Sequence, residues 1–457
     1  MKEMRIFKKN EELQGTVVDL TSQGAGVVKV DDFPFFVEGV IPGEEIIFNI
    51  TKAGKKFGYG RLQKILVESS DRVEITDPVG RQVGTMTLQH MTYSAQLAYK
   101  QSVVAQAFQR IGHFADADVR ATLGMEHPWE YRNKAQIPVR TLKGQLETGF
   151  FRRNSHDLVA VENFHIQHPE IDQAILKVRN IMREEGVQPY DEYSKRGVIR
   201  HIIVKRGHYT GELMIILVIN QKRLEKQEFI IEKIKQQIPN VVSIVQNINF
   251  KATNVILGNE NKILWGKEFI EDKMLDMTFR ISPNSFYQVN TPQAEVLYQT
   301  AIDAAGLTGK ETVLDAYCGI GTLSLALAKH SKNLYAMEIV AEAIEMAKQN
   351  AELNRAKNVI FEVGKAEEWL PRWNDLGVNF DVVVVDPPRK GLDEHFVAAV
   401  IDQAPEKIVY VSCNPATCAR DCQLFSEAGY ELQFVQPVDL FGQTPHVECV
   451  ALLKKAN

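Results

Sequence analysis

The sequence predicts an α/β chain in three parts: a small β-barrel, an α+β middle region, and a C-terminal parallel sheet wrapped by helices. Three observations carry this. Five short β-prone runs separated by Gly, Pro and Asp turns fill residues 10–68. Apolar strand runs alternate with helical segments through 69–280. Within 281–457, a strand, a Gly-x-Gly turn and a helix follow one another directly, the pattern of a Rossmann-like nucleotide-binding unit. At 457 residues the chain is in any case too long for one ordinary core.

Composition narrows the class. Apolar residues at 45% and charged residues at 24% are ordinary for a globular protein, so disorder is not indicated. No apolar run approaches a membrane span, and the charged stretch Met1 to Leu13 is unlike a signal peptide, so a cytoplasmic protein with no membrane partner is expected. Cys318, Cys413, Cys418, Cys422 and Cys449 all lie in the last third, an odd number without disulfide-framework spacing, which points to reduced thiols. The net charge of −5 argues against a partner held by global attraction. Lys and Arg outnumber Asp and Glu over 121–210, whereas acids dominate 281–457, so phosphate contacts are expected from the front half.

The barrel strands are Thr16–Leu20, Ala25–Val30, Phe35–Val37, Glu45–Ile50 and Tyr59–Leu62, an OB-type arrangement. Between the last two, Lys52-Ala53-Gly54-Lys55-Lys56-Phe57-Gly58-Tyr59 mixes cations with aromatics, as single-strand nucleic-acid surfaces do, although a charged loop is more often only solvated. Helical periodicity runs from about 90 to 114, with Gly112 as a stop. In the middle region Ile199–Lys205 and Leu213–Ile219 read as strands, and 169–185 and 222–237 as helices. Arg132-Asn133-Lys134, Arg140, Lys143, Arg152-Arg153 and Lys205-Arg206 are its basic points; phosphate contact and ordinary surface charge are both open readings.

The chemistry-bearing residues cluster in the last part. A helix from Pro292 to Ala305 leads to the strand Thr312–Ala316, then Tyr317-Cys318-Gly319-Ile320-Gly321-Thr322 and a helix through Lys329. Ser324 stands where a dinucleotide fold needs its third glycine, which disfavours a dehydrogenase. The next strand ends in Glu338, which either accepts both hydroxyls of a ribose or merely caps the following helix. The apolar run Phe380–Val385 ends in Asp386-Pro387-Pro388-Arg389-Lys390-Gly391. The β-prone run Ile408–Val411 delivers Cys413 in a Ser-Cys-Asn-Pro turn, at a strand's carboxyl end where ligands gather in open α/β sheets. A lone cysteine there is otherwise a small buried cap. Glu448 opens the last strand, Cys449 faces the other way, and His446 either positions Glu448 or makes a structural hydrogen bond. Cys418 and Cys422 are spaced as metal ligands on a helix, but without a Cys-x-x-Cys pair no metal site is expected.

Several of these motifs resemble known families. Gly24-Ala25-Gly26-Val27, Phe36-Val37, Gly39 and Pro42-Gly43-Glu44 resemble the TRAM domain, an RNA-binding barrel. The glycine turn followed by Glu338 resembles the S-adenosylmethionine methyltransferase fold. Asp386–Gly391, Ser412–Pro415 with Thr417 and Arg420-Asp421, and His446-Val447-Glu448 resemble the RNA (uracil-5-)-methyltransferase family, in particular its bacterial 23S ribosomal RNA branch with a leading TRAM domain. The resemblance implies Cys413 as nucleophile and Glu448 as base. It implies Gln288, Tyr317, Glu338 and Asp386 as S-adenosylmethionine-binding positions, with Asp386 open to a role against uracil instead. It implies a 23S ribosomal RNA partner for a monomeric enzyme. The alternatives are the same chemistry on a transfer-RNA uridine, and an RNA-binding protein with a vestigial methyltransferase fold. Many members hold an iron–sulfur cluster with four cysteines; here the matching positions are Asp77, Val83, Met86 and Phe164, so no cluster is expected, and apolar packing is expected to replace it.

Overall fold

The computed structural model describes residues 7–153 and 155–456. Strands β1 (Glu12–Leu20), β2 (Gly26–Val30), β3 (Phe33–Val37), β4 (Glu45–Ala53) and β5 (Gly58–Val67) close into a barrel in the order β1-β2-β3-β5-β4. Alternation builds it: Ile46, Phe48 and Ile50 of β4 turn inward onto Val28, Phe35 and Val37, all fully buried. The strands outrun the apolar runs that predict them. Leu62 ends the fifth run in sequence, yet β5 continues to Val67 because its outer half still pairs with β4, Val67 opposite Glu45.

Two helices follow, α1 (Pro78–Val83) and α2 (Tyr93–Arg110). Val83, Met86 and Phe164 pack with Tyr131 and Ile166 in one apolar cluster, as expected where thiolates are missing. Asp77 is buried beside them but not apolar: it caps α1, accepting from Val79 N at 2.8 Å and Gly80 N at 2.9 Å, and lies 3.4 Å from His165. Val104 and Phe108 of α2 bury themselves in the core that also holds Cys418 and Phe425.

The middle region contributes β6 (Lys134–Leu142), β7 (Gln145–Phe151), β8 (Leu158–Ala160), α3 (Pro169–Glu184), β9 (Ile199–Arg206), β10 (Leu213–Ile219), α4 (Gln227–Gln237), β11 (Val241–Ile248) and β12 (Glu260–Gly266). Its seven strands run β12-β11-β10-β9-β6-β7-β8. The strand β10 is apolar at every position because both faces are covered. Ile215, Leu217 and Ile219 meet α3 and α4, while Met214, Ile216 and Val218 pack into the core of the C-terminal region.

The remainder comprises a hairpin, β13 (Ile270–Met274) and β14 (Met277–Ile281), then α5 (Thr291–Ala305), β15 (Thr312–Ala316), α6 (Thr322–Ala328), β16 (Asn333–Glu338), α7 (Ala341–Leu353), β17 (Val359–Val363), α8 (Ala366–Asp375), β18 (Val382–Val385), α9 (Glu394–Gln403), β19 (Lys407–Ser412), α10 (Pro415–Glu427), β20 (Tyr430–Val438) and β21 (Glu448–Lys455). The sheet order is β17-β16-β15-β18-β19-β21-β20, parallel except for β21, which is antiparallel to both neighbours. The order reverses between β15 and β18. Chain leaves these two strands in opposite directions, opening a crevice beyond their carboxyl ends.

Candidate active site

Register brings three distant residues to one edge. Val385 pairs with Tyr410, and Ser412 pairs with Cys449, so Asp386 after β18, Cys413 after β19 and Glu448 at the head of β21 share the carboxyl edge of the sheet. Strand β19 stops where Asn414 caps α10 and Pro415 takes the first helical position; Asn414 Oδ1 accepts from Ala416 N at 3.2 Å. Ser412 Oγ accepts from Asn414 N at 3.1 Å. The turn is thus fixed on both sides of Cys413, which sits half-buried just before the positive end of a helix, an environment that favours thiolate.

Its neighbours oppose ionisation. Burial, then the charges of Glu448 and Asp386, push the Cys413 thiol up to about 11, and Arg389 pulls it back. Glu448, 4% exposed, is pushed up to about 8 by burial and by Asp386, again offset by Arg389. The Arg389 backbone is clamped against α10: its carbonyl accepts from Asn414 Nδ2 at 2.9 Å and Thr417 Oγ1 at 3.4 Å. Just beyond it, Arg420 Nη2 donates to Lys390 O at 3.1 Å, and Asp421 accepts from Leu392 N at 2.8 Å and Tyr410 Oη at 2.7 Å. Gly391 has φ +79°, and a Cβ there would lie 2.6 Å from both Arg420 and Asp421.

Glu448 is reached through a loop tied to α2. Lys100 Nζ donates to Asp439 at 2.5 Å with both side chains fully buried, Tyr93 Oη donates to the other Asp439 oxygen at 2.7 Å, and Gln96 Nε2 donates to Gln443 at 2.9 Å. His446 follows in this loop. Its ring stands edge-on to Phe441 at 6.2 Å, and burial with the positive charges of Arg389, Lys100 and Arg132 holds its pKa below the ordinary imidazole value.

The crevice between β15 and β18 has a different character. Asp315, buried in β15, accepts from Ser324 Oγ at 2.5 Å and is raised to about 6 by burial and by Glu338. Asp386 is raised to about 7 by burial and by Asp315. Tyr317 has φ +105°, a left-handed backbone that a non-glycine residue rarely adopts; its N–H and that of Cys318 both donate to Met337 O at 3.0 Å. Gly319, at φ +55°, faces open space. Glu338 Oε1 accepts from Val340 N at 3.1 Å, just ahead of α7, which engages one of its two oxygens. Gln288 lies with its amide 3.5 Å from Tyr298 Oη, and Tyr298 in turn feels the charge of Asp386. Asp315, Glu338 and Asp386 gather here with no ion-pair partner among the described residues, a donor set suited to a positively charged ligand.

Residues of the middle region hold this crevice's near wall. Asn133 Nδ2 donates to Gln288 O at 2.9 Å and Thr291 Oγ1 at 3.0 Å. Lys205, for which sequence leaves phosphate contact and ordinary surface charge open, is instead buried, donating to Ser282 O and Ser285 O at 2.9 Å. A strand-borne lysine can be a strut when backbone carbonyls at a turn lie within its reach, which local sequence does not show. Arg206 and Arg153 of the same expected set are ion-paired, to Glu170 and Glu38. Cys418, Cys422 and Cys449 are fully buried; the first two sulfurs are 4.0 Å apart, turned into the core away from Cys413.

A cavity of about 590 Å³ reaches Cys413 from outside. Its walls come from Arg389, Asn414 and His446, from Gln106 and Arg110 of α2, and from Gln23 and Phe36 of the barrel. Sequence reasoning missed Arg389, Asp315 and this barrel wall as parts of the site. The first was legible, since the Pro-Pro pair before it already marked a rigid turn beside the sheet edge.

A family model described as tRNA (uracil-5-)-methyltransferase matches residues 92–456. An uncharacterised RNA methyltransferase of Enterococcus faecalis is 51% identical over 449 residues, covering 98% of each chain. One of Halalkalibacterium halodurans is 48% identical over 456 residues and covers 100% of both. Among solved structures, the Pyrococcus abyssi tRNA (uracil-54, C5)-methyltransferase in complex with S-adenosyl-L-homocysteine superposes with a TM-score of 0.77 at 29% identity, covering 96% of this chain and 100% of its own.

Proposed function

Because the chain belongs to the tRNA (uracil-5-)-methyltransferase family and is an S-adenosylmethionine-dependent RNA methyltransferase, we propose that Cys413 and Glu448 methylate carbon 5 of a uridine in 23S ribosomal RNA. The observation that carries the assignment of roles is the shared sheet edge, where thiol, buried acid and Asp386 feel one another's charge.

The chemistry follows from these groups. Carbon 5 of uracil is a weak nucleophile. When the Cys413 thiolate adds to carbon 6, the 5,6 π electrons move onto the O4 side as an enolate and carbon 5 becomes nucleophilic. Bound S-adenosylmethionine supplies the electrophilic methyl group. Glu448, as carboxylate, then takes the carbon 5 proton; the electron pair re-forms the 5,6 double bond and the sulfur leaves as thiolate. A base raised toward neutrality suits that transfer. Gln288, Tyr317, Glu338 and Asp386 are proposed to hold the cofactor. The fit rests on the donor set: Asp315, Glu338 and Asp386 around an open glycine turn suit a ligand carrying ammonium and sulfonium charge, and the free Glu338 oxygen remains for a ribose. Asp386 also borders Cys413 and Glu448, which supports a second contact with the uracil edge.

We take residues 10–68 as the RNA-binding barrel, 69–280 as the central unit and 281–457 as the catalytic unit, acting as a cytoplasmic monomer whose five thiols stay reduced. The TRAM-like barrel supports ribosomal RNA as substrate. A transfer-RNA uridine is the second reading, favoured by the P. abyssi enzyme named for that substrate. Mapping 5-methyluridine in ribosomal and transfer RNA from cells lacking this protein decides between them: loss at one or more 23S positions is expected. Loss confined to transfer RNA replaces the first reading with the second.

A further inference from the structure

The barrel carries aromatic rings that its own core does not use. Phe36, Phe57 and Tyr59 form a triangle on its outer surface, with ring centroids 5.4, 5.9 and 5.7 Å apart. The barrel interior is already filled by a separate set that includes Phe35, Phe48, Val28 and Ile50. Phe57 is 42% and Tyr59 44% exposed, a large apolar surface to leave in water. Strand register fixes the arrangement, because Phe36 pairs with Tyr59 across β3 and β5, and Tyr59 faces Lys52 across β5 and β4. The connecting turn adds Lys55 and Lys56, both exposed. Phe36 also lines the cavity that ends at Cys413, so the ring cluster begins at that cavity's mouth and runs outward along the barrel.

We propose that this cluster is a stacking platform for unpaired RNA bases next to the target nucleotide, with Lys52, Lys55 and Lys56 following the phosphates. The occupant is single-stranded RNA, because stacking on rings needs base faces that a duplex keeps covered, while the cations supply the complementary charge. A target base displaced into the Cys413 cavity leaves its neighbour unstacked at the mouth, where Phe36 stands ready to replace the lost partner. This deepens the methyltransferase reading and rests on it for the identity of the strand.

Binding to the full chain tests it without any methyl transfer. The probes are a fluorescently labelled 12-nucleotide oligouridine and an RNA duplex of the same length, each titrated over a series of salt concentrations. For Phe57→Ala/Tyr59→Ala, oligouridine affinity is expected to fall roughly tenfold or more, by a similar factor at every salt concentration, since stacked bases are lost but phosphate contacts are not. Duplex affinity should stay unchanged. Lys55→Ala/Lys56→Ala should instead flatten the salt dependence, by about 0.7 in log–log slope per phosphate contact removed. The swap Phe57→Tyr/Tyr59→Phe keeps both rings and should bind as the parent does, separating stacking from a merely folded barrel. Unchanged oligouridine binding by the alanine pair, or an equal loss on duplex and single strand, overturns the platform while leaving the methylation chemistry untouched. Absence of 5-methyluridine changes in cells would remove that chemistry and leave the binding result standing.

Discussion

The two ends of the crevice at the sheet's carboxyl edge hold buried charge in opposite ways. Beside β15, Asp315, Glu338 and Asp386 gather acids with no cation paired to them among the described residues; beside β19 and β21, Cys413 and Glu448 share their surroundings with Arg389. The first arrangement lacks a cation, so binding one relieves repulsion. The second is balanced for proton movement: a thiol held mostly protonated, an acid held near neutrality, and one guanidinium that eases the ionisation of both. Asp386 feels Asp315 at one end and bears on Cys413 at the other, so with the cofactor placed as proposed its charge and the thiol's ionisation would be electrostatically linked.

Removing the sulfur breaks the comparison most completely. Cys413→Ala should abolish methylation while RNA affinity stays near that of the parent, because phosphate contacts carry most affinity; methyl incorporation and filter binding on one preparation read both. Near-normal turnover would exclude the covalent route. Glu448→Gln is expected to slow turnover by about 100- to 10,000-fold and to let a protein–RNA adduct accumulate on denaturing gels, since the carbon 5 proton stays in place and sulfur cannot leave. The parent's kcat should fall more steeply as pH drops below about 8, where Glu448 is protonated as well as the Cys413 thiol, and in the variant only the shallower dependence set by the thiolate should remain.

How far the sequence foretells this site depends on whether a feature is local. The strand ends at Asp386 and Cys413 are local, since an apolar run followed by Pro-Pro or by Ser-Cys-Asn-Pro marks its own terminus. So is the OB-type closure, written in alternation. The meeting of Glu448 with Cys413 is not local. It depends on β21 inserting antiparallel between β19 and β20, a register set by side-chain packing across three strands. The burial of Lys205 is equally invisible in isolation, because its partners are carbonyls nearly eighty residues away. The ion pair between Lys100 and Asp439, which ties α2 to the loop before Glu448, spans 339 residues of sequence. Charge counts flag such lysines as surface candidates; only tertiary contacts make them struts.

The smallest expected effects sharpen the comparison most, because two substitutions beside one thiol should act with opposite signs. The reactive species in alkylation by iodoacetamide is the thiolate, so its rate reports Cys413 ionisation with no RNA present. At pH 9 the Glu448 carboxylate, with its pKa of about 8, is mostly charged, while the thiol at about 11 is mostly protonated. Glu448→Gln removes a repelling charge and should speed alkylation by roughly three- to tenfold. Arg389→Gln removes the attracting one and should slow it by a smaller factor, because Glu448 loses the same counter-charge, takes up protons and repels the thiolate less. At pH 6.5 the Glu448→Gln gain should disappear, since the parent acid is already neutral there, whereas the Arg389→Gln loss should persist. An unchanged alkylation rate in both variants at both pH values would mean that neither charge reaches the sulfur, and the balanced end of the crevice would then be no different in kind from the acidic one.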